Sequence, residues 1–122
     1  MDVKKICEAV KNDDIAVLVD GSQSAVHLPI DVKDLGCDFF AITGHKLYGP
    51  SGSGAIYIKR ERLNEMQPFM GGGDMIKEVQ KDFVSYNVSP HKFEAGTPSI
   101  VEAIGLGAVS YTHLTLPATP YV

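Results

Sequence analysis

Two short apolar runs, each preceded by a helical segment, limit the fold of this chain more than any other feature. The first run, Ile15–Val19 (IAVLV), is apolar on both of its faces. Such a pattern is typical of a strand in a parallel sheet that helices cover on two sides. The second run is Cys37–Thr43 (CDFFAIT), and a third, Gly54–Ile58 (GAIYI), follows a glycine-rich loop. We therefore predict an α/β fold with a mostly parallel sheet flanked by helices.

Helical segments alternate with these strands. In residues 3–10 apolar side chains recur at helical spacing, and Asp2 is the expected N-cap. A short helical turn that closes at Gly36 precedes the second strand, and a charged helix of residues 59–66 follows the third. Residues 67–98 are rich in glycine and proline, with little periodicity apart from short extended pieces. We expect a long loop region there, which has a function or covers an interface.

The last part of the chain changes character. Ser99 and Glu102 form a capping box that predicts the start of a helix. After residue 108 the helical pattern is lost, and residues 109–122 contain two prolines among alternating β-formers. The run 109–117 (VSYTHLTLP) resembles the conceptual translation of a common sequencing adapter. We predict that residues 109–122 are a non-native tail; the alternative is a genuine short strand followed by a terminal tail.

Charge and cysteine content exclude several classes of function. The net charge of −4, without a cluster of Lys or Arg, argues against nucleic-acid binding. No run approaches the roughly 18 apolar residues that a membrane span needs, and the charged N-terminal segment is unlike a signal peptide. Cys7 and Cys37 lie among core-like residues, so we expect core thiols and a reduced, cytoplasmic location. The spacings of a structural metal site are absent, and we expect no metal.

Two charged residues follow the predicted strands at the point where each strand ends. Asp20 ends the first strand, and Lys46 follows the second within the glycine-rich loop TGHKLYGPSGSG. In open α/β sheets the ligand crevice lies outside the carboxyl ends of the strands. Pyridoxal 5'-phosphate needs both groups, because its aldehyde forms a Schiff base with a lysine and its ring nitrogen needs a carboxylate. The loop lacks the Lys-Ser/Thr ending of a nucleotide-binding P-loop, so its glycines are expected to shape a tight turn.

These motifs together resemble the class V aminotransferase family, and within it the cysteine desulfurase and selenocysteine lyase group. The matching text is VLVDGSQSAVHLPIDVKDLGCDFFAITGHKLYGPSGSGAIYIKRERL, then GGGDMI, then KFEAGTPSI. The resemblance implies a pyridoxal-phosphate enzyme of fold type I. It also implies that residues 1–108 are the central, incomplete part of the cofactor-binding large domain.

The resemblance assigns cofactor contacts to five residues at the predicted strand ends. Lys46 would be the catalytic Schiff-base lysine, and Asp20 the partner of the pyridine nitrogen. Gln23 would hydrogen-bond the phenolic oxygen of the cofactor, while Thr43 and His45 would bind its phosphate. Each residue alone has a plainer explanation: Asp20 as a turn residue, Lys46 as a solvated loop charge, and His45 as a partner of a backbone carbonyl.

Two further residues are assigned to a second subunit. Gly96 and Thr97 would reach the phosphate bound by the neighbouring chain of a homodimer. The sequence departs mildly from the family at Ser22, where many relatives have alanine, and at Lys92, where many have arginine. The arginine position matters because lysine cannot make the bidentate contact of arginine.

The activity implied by the resemblance is that of a cysteine desulfurase. Such an enzyme takes sulfur from L-cysteine as an enzyme persulfide, releases L-alanine, and passes the sulfur to an acceptor protein for iron–sulfur cluster assembly. The resemblance places the nucleophilic cysteine and the substrate-binding arginine outside this segment, and neither Cys7 nor Cys37 falls at the persulfide position. The alternatives are another class V enzyme, such as a selenocysteine lyase or an aminotransferase, or an inert fragment without activity.

Overall fold

The computed structural model describes residues 1–115, which form two compact units. The first unit contains Met1–Tyr57 and residues 101–115, and the second contains Ile58–Ile100. The helices and strands occur in chain order as α1 (Val3–Val10), β1 (Leu18–Asp20), α2 (Ser24–His27), α3 (Val32–Leu35), β2 (Phe39–Thr43), β3 (Gly54–Ile58), α4 (Arg60–Glu65), β4 (Ile76–Gln80), β5 (Phe83–Tyr86) and α5 (Ile100–Thr115). Two 3-10 turns accompany them, at Gly44–Leu47 and His91–Phe93.

The first unit is built on a three-stranded sheet in the order β1-β2-β3. Strands β1 and β2 run parallel, with Leu18 opposite Phe39 and Asp20 opposite Ala41. A parallel pair needs a crossover connection, and here α2 and α3 provide it. The predicted α/β class with a parallel sheet is therefore confirmed.

Local capping signals define two of the helices. The predicted N-cap Asp2 accepts a hydrogen bond from the backbone N–H of Lys5 at 3.3 Å and begins α1. At α3, the side chain of Asp31 accepts from the N–H groups of the second and third residues that follow it. Gly36 then ends α3 in the left-handed conformation at φ 74°, where glycine carries no Cβ penalty. The prediction that this helical turn ends at Gly36 is confirmed.

The core of the first unit contains both cysteines. Cys7, Cys37 and Phe40 are buried together, and partly buried apolar residues of the helices and strands surround them. The expectation that both thiols are core residues is confirmed. The expectation of a first strand buried on both faces was wrong, because β1 begins only at Leu18, which is 61% exposed. An apolar side chain tolerates burial, but it is buried only where another element packs over it. Residues 1–115 leave Leu18 on β1 largely uncovered.

The second unit contains a β-hairpin that the sequence pattern did not reveal. Helix α4 matches the predicted charged helix, but within the predicted loop region β4 and β5 pair antiparallel. The pairing is irregular between Ile76 and Glu78, and most residues of β4 are exposed. An irregular, solvated hairpin of this kind lacks the clean alternation that identifies a strand from sequence.

Helix α5 runs further than predicted. It begins directly after Ser99 and continues through residues 109–115, where the alternative interpretation placed a strand; for those residues that alternative was wrong. No proline interrupts residues 99–115, so the helix can continue through β-formers. The non-native origin of residues 109–122 stays a prediction, and its last seven residues lie outside the described part of the chain. Among residues 1–115, no helix is long and apolar enough to cross a membrane.

Candidate functional site

The carboxyl ends of β1 and β2 lie side by side at one edge of the sheet. Strand β1 ends at Asp20, and β2 ends at Thr43. Lys46 lies in the 3-10 turn that follows β2 directly. The charge of Lys46 is close enough to Asp20 to lower the pKa of its carboxyl group. The parallel register thus brings together the two residues that the sequence singled out.

The Asp20 carboxylate is exposed, yet its pKa lies below the ordinary value for aspartate. The largest cause is a hydrogen bond from the Ser22 hydroxyl, followed by the Ser22 backbone N–H, which donates to Asp20 Oδ1 at 3.0 Å. The positive charge of Lys46 acts in the same direction, and partial desolvation opposes it. The strand end therefore presents an ionised carboxylate at neutral pH.

Gly21, which lies between Asp20 and Ser22, packs so closely against β2 that only glycine fits there. A Cβ atom on Gly21 would lie 2.1 Å from the Phe40 ring of β2, which is too close for any real contact. The Gly21 N–H donates to the carbonyl of Ala41 at 2.9 Å, and its own carbonyl accepts from Ala25 at the start of α2. Gly21 thus joins the sheet to α2 and fixes the backbone on which Asp20 stands.

A second close approach fixes the turn that carries Lys46. Gly44 is buried, and its N–H donates to the carbonyl of Ser53 at 2.8 Å. A Cβ atom on Gly44 would lie 2.0 Å from the Ser53 Oγ, and one on Gly54 would lie 2.7 Å from the carbonyl oxygen of Ile42. Since side chains do not fit at either position, the glycines let the loop fold tightly against the end of β2, in agreement with the predicted role of this loop.

Thr43 has a polar atom that the protein leaves unsatisfied. Its Oγ1 is buried and has no hydrogen-bond partner within the described part of the chain. A buried hydroxyl without a partner costs about 1–3 kcal/mol, so a ligand or an ordered water is expected to satisfy it. Gln23, at the start of α2, and His45, in the 3-10 turn, are both exposed. We call Asp20, Gln23, Thr43, His45 and Lys46 the strand-end site.

Gly96 and Thr97 belong to the second unit. They line a cavity of about 370 Å³ together with Gly73, Asp74 and Pro98. The Gly96 N–H donates to the carbonyl of Gly73 at 2.9 Å, and Gly96 has a positive φ of 79°, which explains why glycine stands there. The structure therefore places these two residues in a different unit from the strand-end site.

A larger cavity in the first unit contains none of the predicted site residues. Its volume is about 670 Å³, and its lining is mainly apolar, including Ile30, Phe40 and Tyr57. A catalytic pocket combines an apolar lining with a few converging polar groups, and this groove lacks charged ones. The strand-end site is therefore the better candidate for chemistry. Sequence reasoning missed Ser22 as a partner of Asp20, although Asp-x-Ser is a known turn-forming spacing.

Comparisons with known proteins identify the family of this chain. The sequence model of the family described as "Aminotransferase class-V" matches residues 1–113. The chain belongs to this family. A probable cysteine desulfurase of Xylella fastidiosa (strain 9a5c) is 56% identical over 112 residues, covering 91% of this chain and 27% of the relative. The cysteine desulfurase of Pectobacterium atrosepticum is 49% identical over 107 residues, covering 87% and 26%.

Solved structures have a similar fold over the matched part of their chains. The cysteine desulfurase CsdA of Escherichia coli, in its S-sulfonic acid form, matches with a TM-score of 0.90 at 42% identity over 95% of this chain and 29% of that chain. A complex of the cystine C–S lyase C-DES with its product cysteine persulfide matches at 0.72 and 36% identity over 84% and 27%. The chain spans about a quarter of the length of the curated relatives that it matches.

The strand-end site fits the cofactor of this class-V family. Pyridoxal phosphate presents an aldehyde, a basic ring nitrogen, a phenolic oxygen and a phosphate, and each needs a different partner. The site offers a primary amine on Lys46, an ionised carboxylate on Asp20, and the unsatisfied hydroxyl of Thr43. The residues present therefore match the chemistry of the cofactor.

Proposed function

We propose that this chain is the central part of the cofactor-binding domain of a pyridoxal-phosphate-dependent cysteine desulfurase. The observation that carries the proposal is the placement of Asp20 at the end of β1 and of Lys46 in the turn directly after β2, the neighbouring parallel strand. Identities of 56% and 49% to proteins named as cysteine desulfurases support the choice of reaction. Residues 1–108 would be the native part of this domain.

Lys46 and Asp20 have complementary tasks in this proposal. Lys46 Nζ would hold the cofactor through its aldehyde, and the same amine would serve as the base that moves the proton of the substrate α-carbon. The Asp20 carboxylate would be the partner of the ring nitrogen and would favour its protonated form, because an adjacent anion stabilises a cation. When bound, the cofactor supplies an electron sink that stabilises negative charge on the α-carbon.

The remaining residues of the strand-end site orient the cofactor. Thr43 Oγ1 and His45 bind the phosphate, which would satisfy the hydroxyl that lacks a partner within residues 1–115. Gln23 donates to the phenolic oxygen. Gly96 and Thr97 act on the phosphate bound by a second subunit, so the protein works as a homodimer. The loop conformation at Gly96, with its positive φ, supports a backbone contact at that position.

The reaction of the longer protein follows from its relatives. L-cysteine gives up its sulfur to a cysteine thiol of the enzyme, which becomes a persulfide, and L-alanine is released. The persulfide then passes its sulfur to an acceptor protein for iron–sulfur cluster assembly in the cytoplasm. Sulfur chemistry of this kind is supported by the relatives' names alone, since Cys7 and Cys37 are buried in the core.

A second candidate is another class-V reaction at the same site. The match to a cystine C–S lyase at a TM-score of 0.72 favours C–S bond cleavage that releases cysteine persulfide. Selenocysteine lyase and aminotransferase activities use the same cofactor-binding residues. A segment of about a quarter of its relatives' length could also be inert on its own.

Cofactor binding can be tested on the 122-residue chain by adding pyridoxal phosphate and recording visible absorbance. We expect the band of lysine-bound cofactor in the wild type and its loss in Lys46→Ala, because the amine that binds the aldehyde is gone. Lys33→Ala is the matched control, since Lys33 is exposed on α3, and it should keep the band. A band of full strength in Lys46→Ala would refute the lysine assignment; a folded wild type without any band would favour the inert fragment.

The reaction can be tested on the longer protein that contains this segment. Incubation with L-cysteine should yield alanine and enzyme-bound persulfide, detected by amino-acid analysis and thiol labelling. Release of cysteine persulfide from cystine without alanine would instead identify a C–S lyase. Formation of a keto acid from an amino acid, with transfer of the amino group, would identify an aminotransferase.

A further inference from the structure

The 3-10 turn that carries Lys46 is held by residues that follow it in the chain. The carbonyl of Gly44, the first residue of the turn, accepts from the Tyr48 N–H and, at 2.9 Å, from the Gly49 N–H. The Gly44 N–H donates to the carbonyl of Ser53 at 2.8 Å. Both backbone groups of Gly44 are therefore bonded to residues beyond Lys46.

The side chain of Ser53 closes the loop between this turn and β3. The Ser53 Oγ donates to the carbonyl of Pro50 at 2.8 Å, and the bond is partly buried. Gly52, which lies between them, has a positive φ of 81°, as expected of glycine in a tight turn. The next residue, Gly54, begins β3. The hydroxyl bond therefore fixes the Ser53 backbone at the point where its carbonyl accepts from Gly44.

The surroundings of this hydroxyl bond are closely packed. A Cβ atom on Gly44 would lie 2.0 Å from Ser53 Oγ and 3.1 Å from the carbonyl oxygen of Pro50. On another side Pro50 packs against α5, where a Cβ atom on Gly105 would lie 3.0 Å from the proline Cγ. A hydrogen bond that is partly shielded from water is stronger than an exposed one, so we expect this bond to hold the loop effectively.

Lys46 needs a fixed backbone because its side chain is a long, flexible stem with a terminal amine. If the turn opens, the amine reaches the cofactor aldehyde in only a fraction of the molecules. The apparent affinity of a ligand falls by the fraction of the protein that is competent to bind it. A residue that keeps the turn closed therefore strengthens cofactor binding without touching the cofactor.

We propose that Ser53 is a positioning residue for Lys46, whose hydroxyl bond to Pro50 keeps the 3-10 turn closed and holds the lysine at the carboxyl end of β2. The inference rests on the proposed function of the strand-end site. Ser53 acts through the backbone of Gly44 and makes no contact with the cofactor in this scheme.

The first test is amide hydrogen exchange, followed by NMR, in the 122-residue chain without cofactor. We expect the N–H groups of Gly44 and Gly49 to exchange roughly 2- to 10-fold faster in Ser53→Ala, the change that corresponds to one lost hydrogen bond. Ser53→Thr keeps a hydroxyl and should restore the slower exchange. Ser51→Ala is the matched control, because it removes an exposed serine of the same loop, and it should leave both rates unchanged.

An internal reference separates positioning from a general loss of stability. The Gly21 N–H donates to the carbonyl of Ala41 between β1 and β2, and its exchange should be the same in all variants. Alanine adds no atoms at position 53, so we expect Ser53→Ala to fold, and its amide spectrum checks this. Equal exchange at Gly44 in the wild type and Ser53→Ala would overturn the inference, and so would an equal acceleration at Gly21.

The second test is a titration with pyridoxal phosphate, followed by the visible absorbance of lysine-bound cofactor. The dissociation constant should rise in Ser53→Ala by about the factor by which the turn opens more often, return towards the wild-type value in Ser53→Thr, and stay unchanged in Ser51→Ala. Faster exchange at Gly44 with an unchanged dissociation constant would overturn the positioning role. If the wild type forms no lysine-bound cofactor, the proposed function fails, while the exchange rates alone support or overturn the role of Ser53 in holding the turn.

Discussion

The Asp20 carboxylate shows how a single residue links the site to stability. Its pKa is lowered chiefly by the Ser22 donors and also by Lys46. The unfolded chain has an aspartate pKa of about 3.9, so the folded value lies below it. A depressed carboxyl pKa contributes stability above the unfolded value, and this contribution is lost as the pH falls through the folded value.

Because the lowered pKa of Asp20 stabilises the fold at neutral pH, we predict how the stability of Asp20→Asn changes with pH. The amide imitates the protonated carboxyl. The free energy of unfolding should therefore be higher for the wild type than for the variant, with the largest difference at neutral pH. The difference should shrink as the pH falls below about 4, measured by urea unfolding at a series of pH values. A difference that stays constant or grows towards acid pH would contradict the low pKa of Asp20.

Gly21 gives a second prediction at the scale of one residue. Gly21→Ala places a Cβ 2.1 Å from the Phe40 ring, so the ring or the strand must shift. Overpacking of this kind costs typically about 1–3 kcal/mol, and we expect a lower urea midpoint with an unchanged slope. Gly107→Ala in α5 is the matched control, because a Cβ there meets nothing within 4 Å; in a helix it should stabilise by about 0.5–1 kcal/mol. Equal stability of Gly21→Ala and the wild type would contradict this prediction, because it would mean that the Phe40 ring moves away from the added Cβ at no cost.

Sequence patterns predicted some of these residues and missed others for physical reasons. Asp20 and Lys46 could be found because each follows an apolar run, and parallel strands end at one edge. Ser22 could not be singled out, because its hydroxyl matters only once the Asp20 turn exists. The unsatisfied hydroxyl of Thr43 is likewise a property of packing, which sequence spacing does not contain.

Among the elements, α3 depends most visibly on a cap. Asp31 accepts from the N–H groups of Lys33 at 2.9 Å and Asp34 at 3.1 Å. Asp31→Ala leaves both groups without this partner, and loss of an N-cap costs about 0.5–2 kcal/mol. Urea unfolding should show this decrease. Asp13→Ala removes an exposed aspartate of the turn after α1 and serves as the matched control; a decrease as large as that of Asp31→Ala would show that the cap is not the cause.

Elements with local signals were predictable, and those fixed by distant contacts were not. Helices α1 and α3 have capping residues in the sequence, and both occur where predicted. Helix α2 was not foreseen, because it starts from a hydrogen bond between Ala25 and Gly21 at the end of β1. The β4–β5 hairpin was also not predicted, because its pairing is irregular and the side chains of β4 are largely solvated.

At the scale of the whole molecule, fold class was easier to predict than burial. Alternating helices and apolar runs indicated a parallel α/β sheet, and β1 and β2 do pair in parallel. The same apolar runs predicted a strand covered on both faces, yet Leu18 is 61% exposed. Burial depends on the elements that pack over a strand, and residues 1–115 leave Leu18 largely uncovered.

The central claim is that Lys46 is the covalent attachment point of the cofactor. The direct measurement is to load the 122-residue chain with pyridoxal phosphate, reduce it with borohydride, digest it, and locate the pyridoxyl group by mass spectrometry. Reduction fixes the bond between the cofactor and whichever lysine holds it. We predict that the added mass is found on the peptide containing Lys46. Added mass spread over exposed lysines such as Lys33 and Lys77, with none favoured at Lys46, would contradict the account.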